Sequence, residues 1–216
     1  SDPYVTLTLG KQSLDTSIKS NTVNGIWNER LVFTNVEFDA QDKSTWPIVY
    51  LKVMDYNKIL SNVAIGYNYV WLSEAAYTIN DTELVRPKWH NLFLPKSNKM
   101  QGQIMLSFYL FTDDKKDMIN NINYLPETIP YTCELNILGL RDLKPLSLLP
   151  VKKAFIKFDM NSLNVTGKRE DALQPGSTVP AATGEYPTIT TVVTFDARLP
   201  KDKLFIPQLQ CVVYDH

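Results

Sequence analysis

The chain has 216 residues, 44% of them hydrophobic, so one or two packed domains are expected and wholesale disorder is excluded. A formal net charge of −1 lacks the basic surplus that a general nucleic-acid binder needs to neutralise phosphates. No apolar run approaches the roughly 18 residues of a spanning helix, and the polar opening turn is not that of a signal peptide.

Alternation of apolar and polar residues dominates from the start. In Tyr4 to Leu9, the side chains of Val5, Leu7 and Leu9 share one face; in Ile48 to Asp55, Val49, Leu51 and Val53 do the same. Each pattern predicts a half-buried strand. Helical periodicity is confined to Leu72 to Tyr77, one or two turns with Ser73 as a candidate cap. A further strand is expected over Ile104 to Leu110, with Ile104, Leu106, Phe108 and Leu110 facing the core. The run from Thr112 to Asp117 is charged, and an Asn-rich stretch with Pro126 and Pro130 follows it, as in a linker.

A second strand series begins at Tyr131. Cys133, Leu135 and Ile137 form one inward set, Ala154, Ile156 and Phe158 another, and Leu209, Cys211 and Val213 a third. Between them, roughly residues 161 to 187 are rich in Gly, Pro, Thr and Ser and predict an inserted loop. The 13 prolines and many Asn, Asp and Ser residues punctuate the strands. The expected class is all-β, antiparallel sandwiches in two units. Cys133 and Cys211 read as reduced core residues, although a bond between them stays open at this point. The triplets Asn80-Asp81-Thr82 and Asn164-Val165-Thr166 match a glycosylation sequon, a pattern so short that chance explains it.

Several motifs carry a family resemblance. Ser1-Asp2-Pro3-Tyr4-Val5 resembles the turn that ends the first top loop of C2 domains. The segment Asn21 to Glu29 resembles the family's N-T-x-N-P-x-W-N-E turn, with Gly25 where proline is usual. Val53-Met54-Asp55-Tyr56-Asn57 with Ile65-Gly66 resembles a strand and the third top loop, and Trp89 to Leu92 with Gly102-Gln103-Ile104 the last strands. The second half is more specific: Leu138 to Pro145, Leu199 to Pro207 and Val212 to Asp215 resemble a late C2 domain of the ferlin family. The resemblance implies a C2 domain over residues 1–111 without its first strand, a linker over 112–130, and a partial C2 domain over 131–216 without its last strands. Truncated sandwiches leave strand edges for other domains of the same protein, or a protein partner, to complete.

The family's calcium site clusters roughly five carboxylates from two loops, because calcium takes about six to eight hard oxygens and affinity rises with ligand charge. The resemblance places Asp2, Asp55 and Asn57 at ligand positions of the first unit, with Val63 where a further Asp is common. Two carboxylates make a weak site, and a vestigial one in which Asp2 caps a turn and Asp55 ends a strand is the plainer expectation. The second unit offers only Asp215, so calcium is expected at the first unit or nowhere.

Calcium-free membrane contact is the other route. Lys58, Ile59 and Leu60 lie on the third loop of the first unit, and Leu146, Leu148, Leu149, Lys152 and Lys153 on the first loop of the second. Apolar tips flanked by lysines suit an anionic interface. Burying two such side chains gains roughly 3 kcal/mol, and each lysine about 1 kcal/mol more. The total corresponds to a dissociation constant on the order of 0.1–1 mM, so modules in series are needed to hold a membrane. The bland alternative is that the leucines pack into their own unit.

Enzymatic motifs are missing from the sequence: it has no glycine-rich phosphate loop, metal-ligand spacing or nucleophile elbow, and His90 and His216 are the two histidines. The resemblance implies a non-enzymatic module of a vesicle-fusion and membrane-trafficking protein, bound to anionic phospholipid at the cytoplasmic face of a vesicle or plasma membrane. The competing expectations are a degenerate C2 scaffold for proteins, and a regulatory C2 region of a lipase or kinase.

Overall fold

The computed structural model of the chain describes residues 1–39, 41–78, 86–94, 97, 99–114, 125–145, 151–163, 169–171, 178–183 and 187–215. The chain divides into two compact units, Ser1–Asn123 and Tyr124–His216. The fold is all-β, with its sheets antiparallel apart from one short pair.

In the first unit a six-stranded sheet is built from β1 (Pro3–Leu9), β2 (Gln12–Asp15), β3 (Ile48–Asp55), β4 (Val63–Trp71), β6 (Lys88–Phe93) and β7 (Met100–Leu106), in the order β2-β1-β3-β4-β6-β7. β1 and β2 meet through a two-residue turn, Leu9 opposite Gln12. Gly10 supplies the positive φ of +59° at its first position, as a type II′ turn requires. The expected inward faces are the observed ones: Val5, Leu7, Leu9, Val49, Leu51 and Val53 are all buried in one cluster. At about 25 cal/mol per Å², burial of such aliphatic side chains is the main stabilising term.

No second large sheet covers that face among the described residues. Instead residues 16–39, which contain no described strand, lay Trp27, Leu31, Phe33, Val36 and Phe38 over the cluster. Trp46 is buried among them, meets Phe38 edge-on at 5.7 Å, and donates its indole N–H to the Asp39 carbonyl at 2.7 Å. Gly25, which departs from the family's proline, lies under the Trp27 ring: a Cβ there would meet the indole at 2.6 Å. Gly66 is fixed by another close approach, where β4 meets β6: a Cβ there would meet the Leu92 Cβ at 2.9 Å.

Two local expectations differ from the structure. The helix α1 spans Leu72–Ala75, so Ser73 lies inside it and does not cap it. The strand expected over Ile104 to Leu110 breaks at Ser107 into β7 and β8 (Phe108–Leu110), because β8 leaves the large sheet to pair in parallel with β5 (Ala76–Thr78).

The second unit is thinner. β9 (Thr128–Gly139) pairs along its length with β14 (Thr188–Pro200). A three-stranded sheet follows the order β13-β10-β15, from β13 (Thr178–Thr183), β10 (Lys153–Asp159) and β15 (Gln210–Asp215), and β11 (Asn161–Leu163) pairs with β12 (Arg169–Asp171). Ile137, Ile156, Phe158, Met160 and Ile189 form its core. The inward set expected at Leu209, Cys211 and Val213 is not buried: all three are exposed and none joins the unit's core cluster, and β15, which carries Cys211 and Val213, pairs among the described residues with β10 alone. Cys211 is therefore a free but exposed thiol, while Cys133 is free and half-buried, so neither is a core residue.

Candidate functional site

The first unit brings Asp2 and Asp55 together. Pro3 stands opposite Asp55 where β1 pairs with β3, so the chain entering β1 and the chain leaving β3 run side by side. The Asp2 N–H donates to Asp55 Oδ1 at 2.6 Å, and the Tyr56 N–H donates to the Asp2 carbonyl at 3.0 Å. Asp2 Oδ1 in turn accepts the Asn21 N–H at 2.6 Å, which pins the loop that carries Val23 to the same end of the sheet. That Asp2 N–H, aided by the Ser1 hydroxyl, holds the Asp55 carboxyl below its ordinary range against a small opposing effect of burial.

Asn57 does different work. Its Oδ1 accepts the N–H groups of Ile59 at 3.1 Å and Leu60 at 3.2 Å, while Asn62 Oδ1 accepts the Asn57 N–H at 2.9 Å. Asn62 is anchored through its side-chain amide to the Tyr4 hydroxyl at 2.9 Å. This is Asx-turn chemistry: short polar side chains replace backbone partners and hold a tight loop. The loop thrusts its apolar residues into solvent, Ile59 being 91% and Leu60 72% exposed, with Lys58 beside them.

Two further apolar side chains lie at this end, Val23 and Val63, both well exposed. Val23 was not among the expected contacts. Its one signal is its place in the variable position of the Asn21 to Glu29 motif. Below the loops, Glu29 accepts from the Ser17 N–H at 2.9 Å and from its hydroxyl, and pairs with Lys19 at 3.3 Å. Burial raises the Glu29 pKa, but Ser17 and Lys19 together outweigh it and the net shift is downward.

The donor set was tested against calcium. Asp2, Asp55 and Asn57 each already accept backbone N–H groups, and no group of three or more His, Cys, Asp or Glu side chains gathers among the described residues. Two carboxylates and an engaged amide fall short of the about six to eight oxygens calcium takes. The described residues therefore do not by themselves fit the ion.

In the second unit Asp215 Oδ1 accepts the N–H groups of Lys152 at 3.0 Å and Lys153 at 2.8 Å, where β15 pairs with the start of β10. Lys152 and Lys153 are exposed, whereas Leu146, Leu148 and Leu149 lie outside the described residues, as does His216. His90 is half-buried edge-on to Phe108 at 6.2 Å; burial, with Lys88 nearby, lowers its pKa and favours the neutral imidazole. No helix among the described residues is long and apolar enough to cross a membrane.

Comparison with known proteins finds the C2 domain family model matching residues 1–92. Mouse (Mus musculus) myoferlin is 20% identical over 235 residues, covering 100% of this chain and 11% of that protein. Human (Homo sapiens) synaptotagmin-7 is 28% identical over 113 residues, covering 50% of this chain and 26% of that protein. The chain thus spans a small part of these relatives' length. A solved structure of a pair of C2 domains, A and B, of extended synaptotagmin 2, calcium bound, aligns over 100% of this chain and 68% of its own, at 16% identity and a TM-score of 0.33.

Proposed function

We propose that residues 1–92, which the C2 domain family model matches, form a C2 domain, and that the chain is a non-catalytic, phospholipid-binding C2 region of a ferlin-like membrane-trafficking and vesicle-fusion protein. It works at the cytoplasmic face of a vesicle or plasma membrane. In this reading residues 1–111 and 131–216 are successive C2 units joined by a linker over 112–130. The alignment of the whole chain to myoferlin supports the arrangement.

The observation that carries the membrane reading is the Asn57-shaped loop that holds Ile59 and Leu60 in solvent next to Lys58. An apolar pair this exposed is costly in water and gains on entering a bilayer interface, while the lysine is drawn to anionic lipid. Val23 and Val63 widen the same apolar tip. Calcium dependence is weak or absent, because the carboxylates of Asp2 and Asp55 already hold the loops together through backbone N–H groups. In the second unit Lys152 and Lys153 add positive charge.

The test is co-sedimentation of the chain with phosphatidylserine-rich liposomes, in calcium and in chelator. Equal binding in both, lost in the Ile59→Asp, Leu60→Asp double variant, is expected. Binding that needs calcium would make Asp2 and Asp55 part of a working ion site. Absence of binding in either buffer would favour the second reading, a C2 scaffold for proteins, which the exposed edge strand β15 supports.

A further inference from the structure

The loop between β3 and β4 is closed by a chain of neutral hydrogen bonds that runs back to β1. Asn62 uses both ends of its amide: Oδ1 accepts the Asn57 N–H at 2.9 Å, and the side-chain NH2 donates to the Tyr4 hydroxyl at 2.9 Å. The first bond fixes the second. Only the amide oxygen can face an N–H, so the NH2 is left to find an acceptor. Asn57 Oδ1 then accepts from Ile59 and Leu60, at 3.1 and 3.2 Å. The anchor comes from a strand that is not a neighbour of β4, since the sheet order is β1-β3-β4. Adjacent strands lie about 4.8 Å apart, so β1 and β4 are about 10 Å apart. A phenol, rigid and long, carries its hydroxyl out along that span, where a serine hydroxyl would stay beside its own strand. Tyr4 lies on the face of β1 away from buried Val5, and there it meets Asn62.

We infer, resting on the membrane reading of this loop, that Tyr4 and Asn62 are positioning residues for lipid binding: through neutral hydrogen bonds they hold the loop in the shape that presents Ile59 and Leu60. Both stand outside the positions expected to touch calcium or lipid. What the bonds hold in place marks their purpose. Four of them fix a loop whose apolar pair is 91% and 72% exposed. A loop bonded for stability alone gains nothing from keeping two adjacent large apolar side chains in water.

Preorganisation links this shape to affinity. A loop that samples many shapes presents both side chains together only part of the time, and apparent affinity falls by that fraction. Ordering the loop at the membrane would be subtracted from binding. The type of bond matters as well. Asp2 and Asp55 fasten the neighbouring segments through carboxylates, whereas the Tyr4–Asn62–Asn57 chain is uncharged and sets no anion against an anionic surface.

The test uses the whole chain in chelator, with two readings: hydrogen exchange of the Ile59 and Leu60 amides followed by NMR, and co-sedimentation with phosphatidylserine-rich liposomes. Tyr4→Phe deletes one hydroxyl and keeps the ring. It should speed exchange at those amides and weaken liposome binding by about threefold to tenfold, the effect of one hydrogen bond. Asn62→Ala removes two bonds and should weaken binding by about tenfold or more. Asn62→Asp retains an oxygen for the Asn57 N–H and another for the Tyr4 hydroxyl, which turns to donate, so exchange should stay as slow as in the parent. Thr6→Val deletes a hydroxyl from the same face of β1, one bonded to Asp15, and should move neither reading. Unchanged exchange at Leu51 in Tyr4→Phe will show that the sheet is intact. Three results would overturn the inference alone, with the parent still binding: parental exchange at Ile59 and Leu60 in Tyr4→Phe and Asn62→Ala, faster exchange there with liposome affinity unmoved, or Thr6→Val weakening binding as much as Tyr4→Phe. A parent chain that leaves the liposomes unbound would overturn the membrane reading and the inference with it.

Discussion

The two units use an aspartate for the same local task and finish with different surfaces. In the first, Asp2 and Asp55 accept backbone N–H groups and stitch together the segments that flank the sheet's upper end, and the loop above them presents Ile59 and Leu60. In the second, Asp215 accepts two N–H groups at the entry to β10, and the adjoining strand β15 is exposed from Cys211 onward. A carboxylate at a ligand position is therefore no evidence of a ligand: in water-accessible loops the nearest donors are the chain's own amides. The units also differ in cover. Residues 16–39 blanket the first core, whereas β15 has one partner strand and no covering layer of comparable size among the described residues.

This contrast can be broken most forcefully in the cores. Leu51→Ala, at a site only 1% exposed, should destabilise the first unit by about 2–5 kcal/mol. All four tryptophans, at 27, 46, 71 and 89, belong to that unit, so urea unfolding followed by tryptophan fluorescence reports it alone. Val213→Ala on β15 should cost well under about 1 kcal/mol, because the side chain is already partly in water. A large loss there would mean that β15 is covered in solution.

The aspartates come next in size. Asp55→Ala should cost about 1 kcal/mol by stranding the Asp2 N–H. Asp55→Asn, which keeps an acceptor oxygen, should cost less. Asp215→Ala should act in the second unit, speeding hydrogen exchange at the Lys152 and Lys153 amides while leaving the tryptophan-detected midpoint unchanged. Equal effects of both alanine variants on that midpoint would contradict the division into separate units.

Acid should separate the units as well. Asp55 and Glu29 both have folded pKa values below their unfolded ones. Their contribution is complete above the unfolded carboxyl pKa and is lost as pH falls through the folded value. The tryptophan-detected urea midpoint should fall between pH 6 and about pH 3. A flat profile would show that the Asp2–Asp55 and Ser17–Glu29 bonds add nothing in solution. The smallest stability effect belongs to the Ile59→Asp, Leu60→Asp variant. It should stay within about 0.5 kcal/mol of the parent, since neither side chain packs. The same variant should abolish liposome binding.

Sequence periodicity was a good guide where a strand has one dry and one wet face. Val5, Leu7 and Leu9, then Val49, Leu51 and Val53, and Ala154, Ile156 and Phe158, alternate in sequence and are buried as expected. It misled at Leu209, Cys211 and Val213, where the alternation is present but the side chains stay exposed, and at Ser107, where β8 leaves one sheet for another. Of the candidate site, the residue types were legible and their engagement was not. The motifs pointed to Asp2, Asp55 and Asn57. That Asn57 shapes the tip loop through the Ile59 and Leu60 amides appears only in three dimensions.

By itself, then, the sequence determined the all-β class, the core faces of the central strands and the pattern of a C2 domain, because side-chain alternation and turn residues are local properties of the chain. Only the tertiary structure decided which carboxylates are already satisfied, that the loop carrying Val23 is tied through the Asn21 N–H to Asp2, and that exposed Tyr50 stands opposite exposed Tyr69. Those outcomes depend on strand register and on what covers each surface, and both are set by residues far apart in the chain.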